Sequence, residues 1–409
     1  MLSLSFLRAN GRLLTFGMLM TFCSSFGQTY FISLFSGEIR STFLLSDGDF
    51  GSLYSIGTLS SAATLLWVGR LIDRVPLALF SAAVLVGLAA MCLAMGMVSG
   101  SLGLVVILFG LRLFGQGLAT HSAIVAMGRY FETARGRAVS IAALGHTLGE
   151  AIFPTAVVTA LALAAWTQIW TASGLALLVL APLIFLLLKG QSERDRAFQT
   201  RRLDPANGGD RALGAALRDP GLWLRLPALL APSFIFTGLI FHQVHLAETK
   251  GWPLSLLAGG FVLFAACALG ALIVAGQLVD RFSARRLVPL FLAPLAVACL
   301  ILAASDAPLA APAFMALLGI NTGIATVLLG ALWPELYGIT HLGAIRAFGQ
   351  SAMVFSSGLA PAIMGLLIDR GIPIEGIALA CAVYCLVASA LAFFAEQAGR
   401  PKPALHRKT

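Results

Sequence analysis

The chain has 409 residues, 59% of them hydrophobic and 11% charged, with a mean hydropathy of +0.92 and a formal net charge of +9. Too few polar residues remain to cover a soluble globule, so lipid must be the main solvent. The basic surplus suggests a nucleic-acid partner only until the charges are located along the chain.

Apolar runs of membrane-spanning length, about 20 residues each, fall at 13–36, 50–69, 77–97, 102–127, 138–163, 167–188, 222–245, 254–278, 287–304, 309–333, 347–368 and 376–396. They predict an all-α membrane protein with 12 transmembrane helices, arranged as two pseudo-symmetric six-helix bundles. A barrel is disfavoured because the runs are continuously apolar, whereas lipid-facing strands alternate with polar lumen positions. Residues 1–188 are expected to form the N-terminal bundle, 189–220 a cytoplasmic linker, 221–398 the C-terminal bundle and 399–409 a cytoplasmic tail. Arg8 and Arg12 before an apolar stretch imitate a signal peptide, but the stretch outruns the usual h-region and predicts a retained first span.

The two halves repeat. Gly69-Arg-Leu-Ile-Asp73-Arg74 returns as Gly276-Gln-Leu-Val-Asp280-Arg281, an offset of 276 − 69 = 207 positions that also relates Tyr130 to Tyr337 and Pro154 to Pro361. Such duplication in apolar sequence points to a carrier with its substrate site between two related halves. With a cytoplasmic N-terminus, the outside loops hold only Arg40, Lys250 and Arg370 of the 27 Lys and Arg residues, while Arg112 and Arg225 lie in helices. This positive-inside pattern predicts a plasma-membrane (bacterial inner membrane) protein with both termini cytoplasmic, and it accounts for the net charge without nucleic acid. All six cysteines fall in apolar runs, where they offer neither a disulfide framework nor a metal site.

Near the expected bilayer midplane, the fourth span carries Arg112 and the fifth carries Glu150, with His146 one turn before it. Isolated charges there cost on the order of 3 kcal/mol, so Arg112 and Glu150, on antiparallel neighbours, are expected to pair. Glu150 is the candidate proton carrier, His146 a relay, and Arg112 the charge that releases the proton or meets an anion; a purely structural ion pair is the competing reading. Ser24, Ser25, Gln28, Thr29 and Tyr30 form a polar patch in the first span. His121, His242 and His245 lie near span ends, where interfacial packing is expected.

Gly-x-x-x-Asp-Arg at the second and eighth spans has a physical use. Glycine admits a close neighbour, and an aspartate at the membrane edge accepts from the exposed amides of another helix's N-terminus. Alone the pattern is weak, since Gly365-Leu-Leu-Ile-Asp369-Arg370 at an outside end also fits it; its strength comes from the matching position in both repeats. Together these residues resemble the major facilitator superfamily. The copy continuing to Arg285 and Arg286 keeps its loop signature, while the first departs at Val75-Pro76-Leu77-Ala78. Arg112-Leu-Phe-Gly-Gln116-Gly117 looks like the family's R-x-x-Q-G pattern, displaced by one residue at the Gln-Gly end. More narrowly, Arg129-Tyr-Phe-Glu-Thr-Ala-Arg135-Gly-Arg-Ala138 looks like the monocarboxylate-porter and oxalate/formate-like branch.

The resemblance implies a secondary transporter working by alternating access, with gating residues Gly69, Asp73, Arg74, Gly276, Asp280, Arg281 and Arg285. Spans one, four, seven and ten are implied to line the cavity, favouring Gln28, Tyr30, Arg112, Gln116, Thr237 and Asn321, with Gln350 of the eleventh span as a further candidate. A small organic solute, preferably a carboxylate-type anion moved with a proton, is the expected cargo. A proton-coupled drug or metabolite exporter of the same fold is the alternative, and a membrane enzyme or a non-transporting sensor is kept open from other classes. No cofactor or metal is expected, and the chain is expected to act as a monomer in the bilayer.

Overall fold

The computed structural model describes residues 4–73, 75–131, 135–190, 214, 216–337 and 342–398. Arg74, most of the expected linker and the tail lie outside the described residues, as do the side chains of Asp73, Arg129, Arg135 and Asp280.

The described chain runs through twelve helical spans in the order the apolar runs predict. The first is broken: Leu4–Cys23, a 3-10 turn Ser24–Gly27, Thr29–Ile32, a second 3-10 turn Ser33–Phe35, then Ser36–Phe43. Next come Asp47–Val68 and Leu77–Met95, and a fourth span of Gly100–Leu111, a π-wound segment Arg112–Ala119 and Thr120–Tyr130. Arg135–Leu161 is the fifth, and Trp166–Leu180 with Leu183–Leu188 the sixth. The seventh is Pro220–Phe241, continued past His242 by Gln243–Lys250. Leu254–Phe282 is the eighth, and the ninth is Ala293–Ala304, preceded by the short helix Ala284–Leu287. Ala310–Tyr337, Leu342–Asp369 and Ile374–Ala398 complete the series. Nine of the described helices are long and apolar enough to cross a bilayer unaided, and Ala293–Ala304 is apolar but shorter.

Contacts divide the chain into two compact units that do not follow the sequence halves: residues 1–206, 237–265 and 357–374 form one, and 207–236, 266–356 and 375–409 the other.

In the first unit, the first span packs along the fifth, the third along the sixth and the second along the fourth. Small residues set these approaches. A Cβ at Gly145 of the fifth span would collide with Met18 O and Thr21 Oγ1 of the first, and Thr21 Oγ1 donates to Ala142 O across the same seam. Aromatic rings fill the space beside the break, Phe31 standing edge-on to Trp170 at 5.2 Å and to Phe153 at 5.6 Å. Ser46 starts the second span with a capping box, accepting from Asp49 N at 2.9 Å while Asp49 Oδ2 accepts from Ser46 N at 3.2 Å. The cap satisfies one of the amides that a helix start leaves without partners.

In the second unit, the ninth span packs on the tenth, and Asn321 Nδ2 donates to Phe291 O at 2.8 Å. The loop after the eighth span is held from two sides. Glu335 accepts from Ser283 Oγ and from Ala284 N (2.8 Å), which fixes Ser283 at a φ of 74°. Glu396 meets Arg285 Nε at 3.3 Å and the buried Arg225 Nη2 at 3.4 Å.

Candidate functional site

Two irregular stretches meet inside the first unit. Gln28, extended at ψ 152°, interrupts the first span, and opposite it the fourth span is wound as π from Arg112 to Ala119. Backbone outside regular helices is tolerated at membrane depth only where protein buries it or where it lines a cavity, which makes the break, whose flanking residues are buried, a candidate site. The fit is close: a Cβ at Gly27 would stand 2.7 Å from Gly115 Cα, and one at Gly115 would stand 2.6 Å from Gly27 Cα. The π segment coincides with the one-residue displacement of Gln116-Gly117, since a π turn absorbs an extra residue within a continuing helix.

Arg112 serves the break. Its side chain is 1% exposed; Nη1 donates to Gly27 O at 3.0 Å and to Thr29 Oγ1 at 3.4 Å, and the guanidinium lies 5.2 Å from the Tyr54 ring centroid. Tyr54 Oη and Thr29 Oγ1 are 2.8 Å apart, closing the ring of contacts. The expected Arg112–Glu150 pair is therefore corrected: Arg112 faces the carbonyls freed by the broken first span, and the ion pair of Glu150 is with His146. Nε of Arg112 is buried without a partner among the described residues.

Glu150 and His146 form a second group. His146 Nε2 stands 3.4 Å from Glu150 Oε1, and the imidazole lies edge-on to the Tyr30 ring at 6.0 Å. Tyr30 Oη and Ser25 Oγ, both buried, stand beside each other here. Gly149 makes this possible, because a Cβ there would collide with Ser25 Oγ and stand 3.0 Å from Tyr30 Oη. The arrangement offers a base, an imidazole one turn away and two hydroxyls able to donate or accept, which suffices to hold and pass a proton.

Of the other candidates, Gln28 stays at the break, its Nε2 3.5 Å from Ser24 Oγ. Gln116 lies half-buried on the π segment and Thr237 is buried. In the second unit, Asn321 is engaged with Phe291 and Gln350 is exposed. The gating glycines do not make the expected close approach. A methyl group added at Gly69 would find its nearest neighbour 3.7 Å away in His121, and among the described residues nothing lies within 4 Å at Gly276. Arg281 sits over the Phe282 ring at 5.3 Å, while Arg285 reaches Glu396.

Sequence reasoning missed Gln243. It is 1% exposed, and its Nε2 donates to Tyr30 O at 3.2 Å and Ser33 Oγ at 2.8 Å, while its Oε1 is buried without a partner among the described residues. The signal was an amide inside the outer end of the apolar run 222–245, in the stretch read as the end of the seventh span.

The family profile described as Major Facilitator Superfamily matches residues 17–311 and 261–409. Two solved structures are similar in fold, both crystal structures of a bacterial homolog to the human lysosomal transporter Spinster, one inward-facing and unoccupied, the other inward-facing and occupied. Each is 16% identical with a TM-score of 0.70; the first match covers 97% of this chain and 99% of the other, the second 96% and 98%. No curated protein matches the sequence. With a broken first span packed on a π-wound fourth, twelve helical spans and a family match running from residue 17 to the end, the chain belongs to the major facilitator superfamily and is a secondary transporter working by alternating access, not an enzyme.

Proposed function

We propose that the protein carries a small organic solute, preferably a carboxylate-type anion, together with a proton, and that the His146–Glu150 pair is the proton site. The observation that carries this reading is the placement of that pair beside the buried hydroxyls of Ser25 and Tyr30. With Glu150 ionised, it is the counter-ion of a protonated His146. A proton added to Glu150 cancels that negative charge, and a substrate carboxylate then takes its place opposite the imidazolium. Anion and proton enter together because each makes the other's burial less costly. Arg112 acts by holding the broken first span open at this point.

In the same proposal the termini are cytoplasmic, the membrane is the plasma membrane, the working form is a monomer, and the gating loops are those at Asp73 and Asp280, in the two six-helix halves 1–188 and 221–398. The likeness to the monocarboxylate-porter and oxalate/formate-like branch supports the anion. One observation favours a second reading, a drug or metabolite exporter: Arg112, 1% exposed, turns its Nη1 to Gly27 and Thr29 of the protein itself.

Glu150→Gln in proteoliposomes tests the reading. Proton-driven net uptake of a carboxylate is expected to fall at least about tenfold, a barrier change of about 1.4 kcal/mol, while exchange of solute for solute persists. Unchanged net uptake ends the proton role, and outward movement under an imposed pH gradient selects the exporter.

A further inference from the structure

The glycine and aspartate pattern does its expected work at a third place. In the first unit, Asp369 Oδ2 at the end of the eleventh span accepts from Ser46 Oγ at 2.6 Å and from Gly48 N at 3.0 Å, at the N-terminus of the second span. A Cβ at Gly365 would stand 2.5 Å from Asp47 O and 2.9 Å from Gly48 Cα, and one at Gly51 would collide with Pro361 O. The carboxylate thus meets a hydroxyl and an exposed amide at the positive end of a helix, and glycines let the two backbones come close enough for it.

Further bonds run along the same seam. Ser55 Oγ accepts from Ala362 N at 3.2 Å. His242, 2% exposed, places Nε2 3.1 Å from Pro361 O and Nδ1 3.4 Å from Asp47 Oδ1, so one ring touches both spans. Arg40 Nη1 pairs with Asp47 Oδ2 at 2.5 Å and His245 Nδ1 lies 3.3 Å from the same oxygen.

The repeat gives this seam a poorer counterpart. Under the offset of 207, Gly365 and Asp369 correspond to Val158 and Ala162, since 365 − 207 = 158 and 369 − 207 = 162, so the fifth span has no such pattern. Its seam with the eighth span carries Thr155 Oγ1 to Ala258 O at 3.4 Å.

We propose that Gly365 and Asp369, with Ser46 and Gly48 as receivers, form the latch that holds the outside ends of the second and eleventh spans together, and that it must release before the carrier opens outward. The outside assignment rests on the charge-derived orientation above; the latch itself does not depend on the cargo or on the proton site.

The test uses Thr58→Cys, a buried position further along the second span, in the full chain with its six native cysteines replaced by serine. A membrane-impermeant maleimide is added to right-side-out and to inverted vesicles. Adding Asp369→Asn is expected to raise labelling in right-side-out vesicles about tenfold, the population change that corresponds to about 1.4 kcal/mol. Ser46→Ala, which removes one of the two donors together with the cap on Asp49 N and keeps the Gly48 backbone contact, is expected to give a smaller rise and serves if Asp369→Asn does not fold. Unchanged labelling in folded Asp369→Asn or Ser46→Ala protein overturns the latch, and a rise confined to inverted vesicles overturns its outside position.

Discussion

Arg112 holds the carbonyl of Gly27 at 3.0 Å across the seam between the fourth and first spans. An ammonium is a point charge and cannot reach Gly27 O and Thr29 Oγ1 while covering the Tyr54 ring, as the planar guanidinium does. Arg112→Lys is therefore expected to cost about 2 kcal/mol of stability, the range of hydrogen bonds from a charged donor, and to lower the maximal transport rate at unchanged KM. A tenfold rise in KM with an unchanged melting temperature would instead make Arg112 a substrate ligand.

The Gly27–Gly115 crossing leaves no room for a methyl group. Gly115→Ala is expected to destabilise the protein by about 1–3 kcal/mol through overpacking, and Gly276→Ala, with no described residue within 4 Å, by far less. Thermal melts of the two variants compare them directly, and equal losses would contradict the packing described.

Asp47 gives a pH dependence with a definite sign. Burial raises its proton affinity, but hydrogen bonding to His242 and His245 and the charge of Arg40 outweigh burial and hold the carboxyl well below the usual carboxylate range. A folded-state value below the unfolded one, about 3.9, stabilises fully above that value and is lost as pH falls through the folded one. Asp49, Glu248 and Asp369 are acids near this end, and Arg40 pairs with Asp47 beside the histidines. Asp47→Asn should lower the melting temperature at neutral pH, and the gap from wild type should narrow in strong acid. A gap that instead widens below pH 4 would reverse the assignment.

Glu396 meets two arginines of unequal burial, Arg225 with a side chain 4% exposed and Arg285 at 31%. Breaking a buried pair leaves a charge without compensation and costs about 3–5 kcal/mol, whereas a half-exposed pair is worth about 0–1 kcal/mol. Glu396→Gln is thus expected to destabilise strongly and Arg285→Ala weakly, measured as shifts in unfolding. Comparable shifts would show that Arg285 carries the contact.

The spans were legible because a bilayer demands long apolar helices. Their polar ends were not: Ser36–Phe43 and Gln243–Lys250 are helical without being apolar. The first span's polar patch was visible, but not its break, which depends on Arg112 arriving from residues far along the chain. For the same reason the partner of Arg112 was misjudged. Two antiparallel neighbours fix which helices meet, not which faces, and Glu150 turns toward His146 and Tyr30. Asp369 shows the reverse error. Its motif reads as background in sequence because it lacks a repeat mate, yet its carboxylate makes the contacts that the motif's chemistry predicts; at Gly69 and Gly276 no described atom stands closer than 3.7 Å to an added Cβ.

The interlocked glycines of the first and fourth spans limit how the molecule can move. Neither helix can slide or roll past the other without driving Gly27 into Gly115, so the pair travels as one piece through the transport cycle. Flexing is left to seams joined by separable polar contacts, and a chemical crosslink placed between the first and fourth spans should leave turnover intact where one across the second and eleventh arrests it.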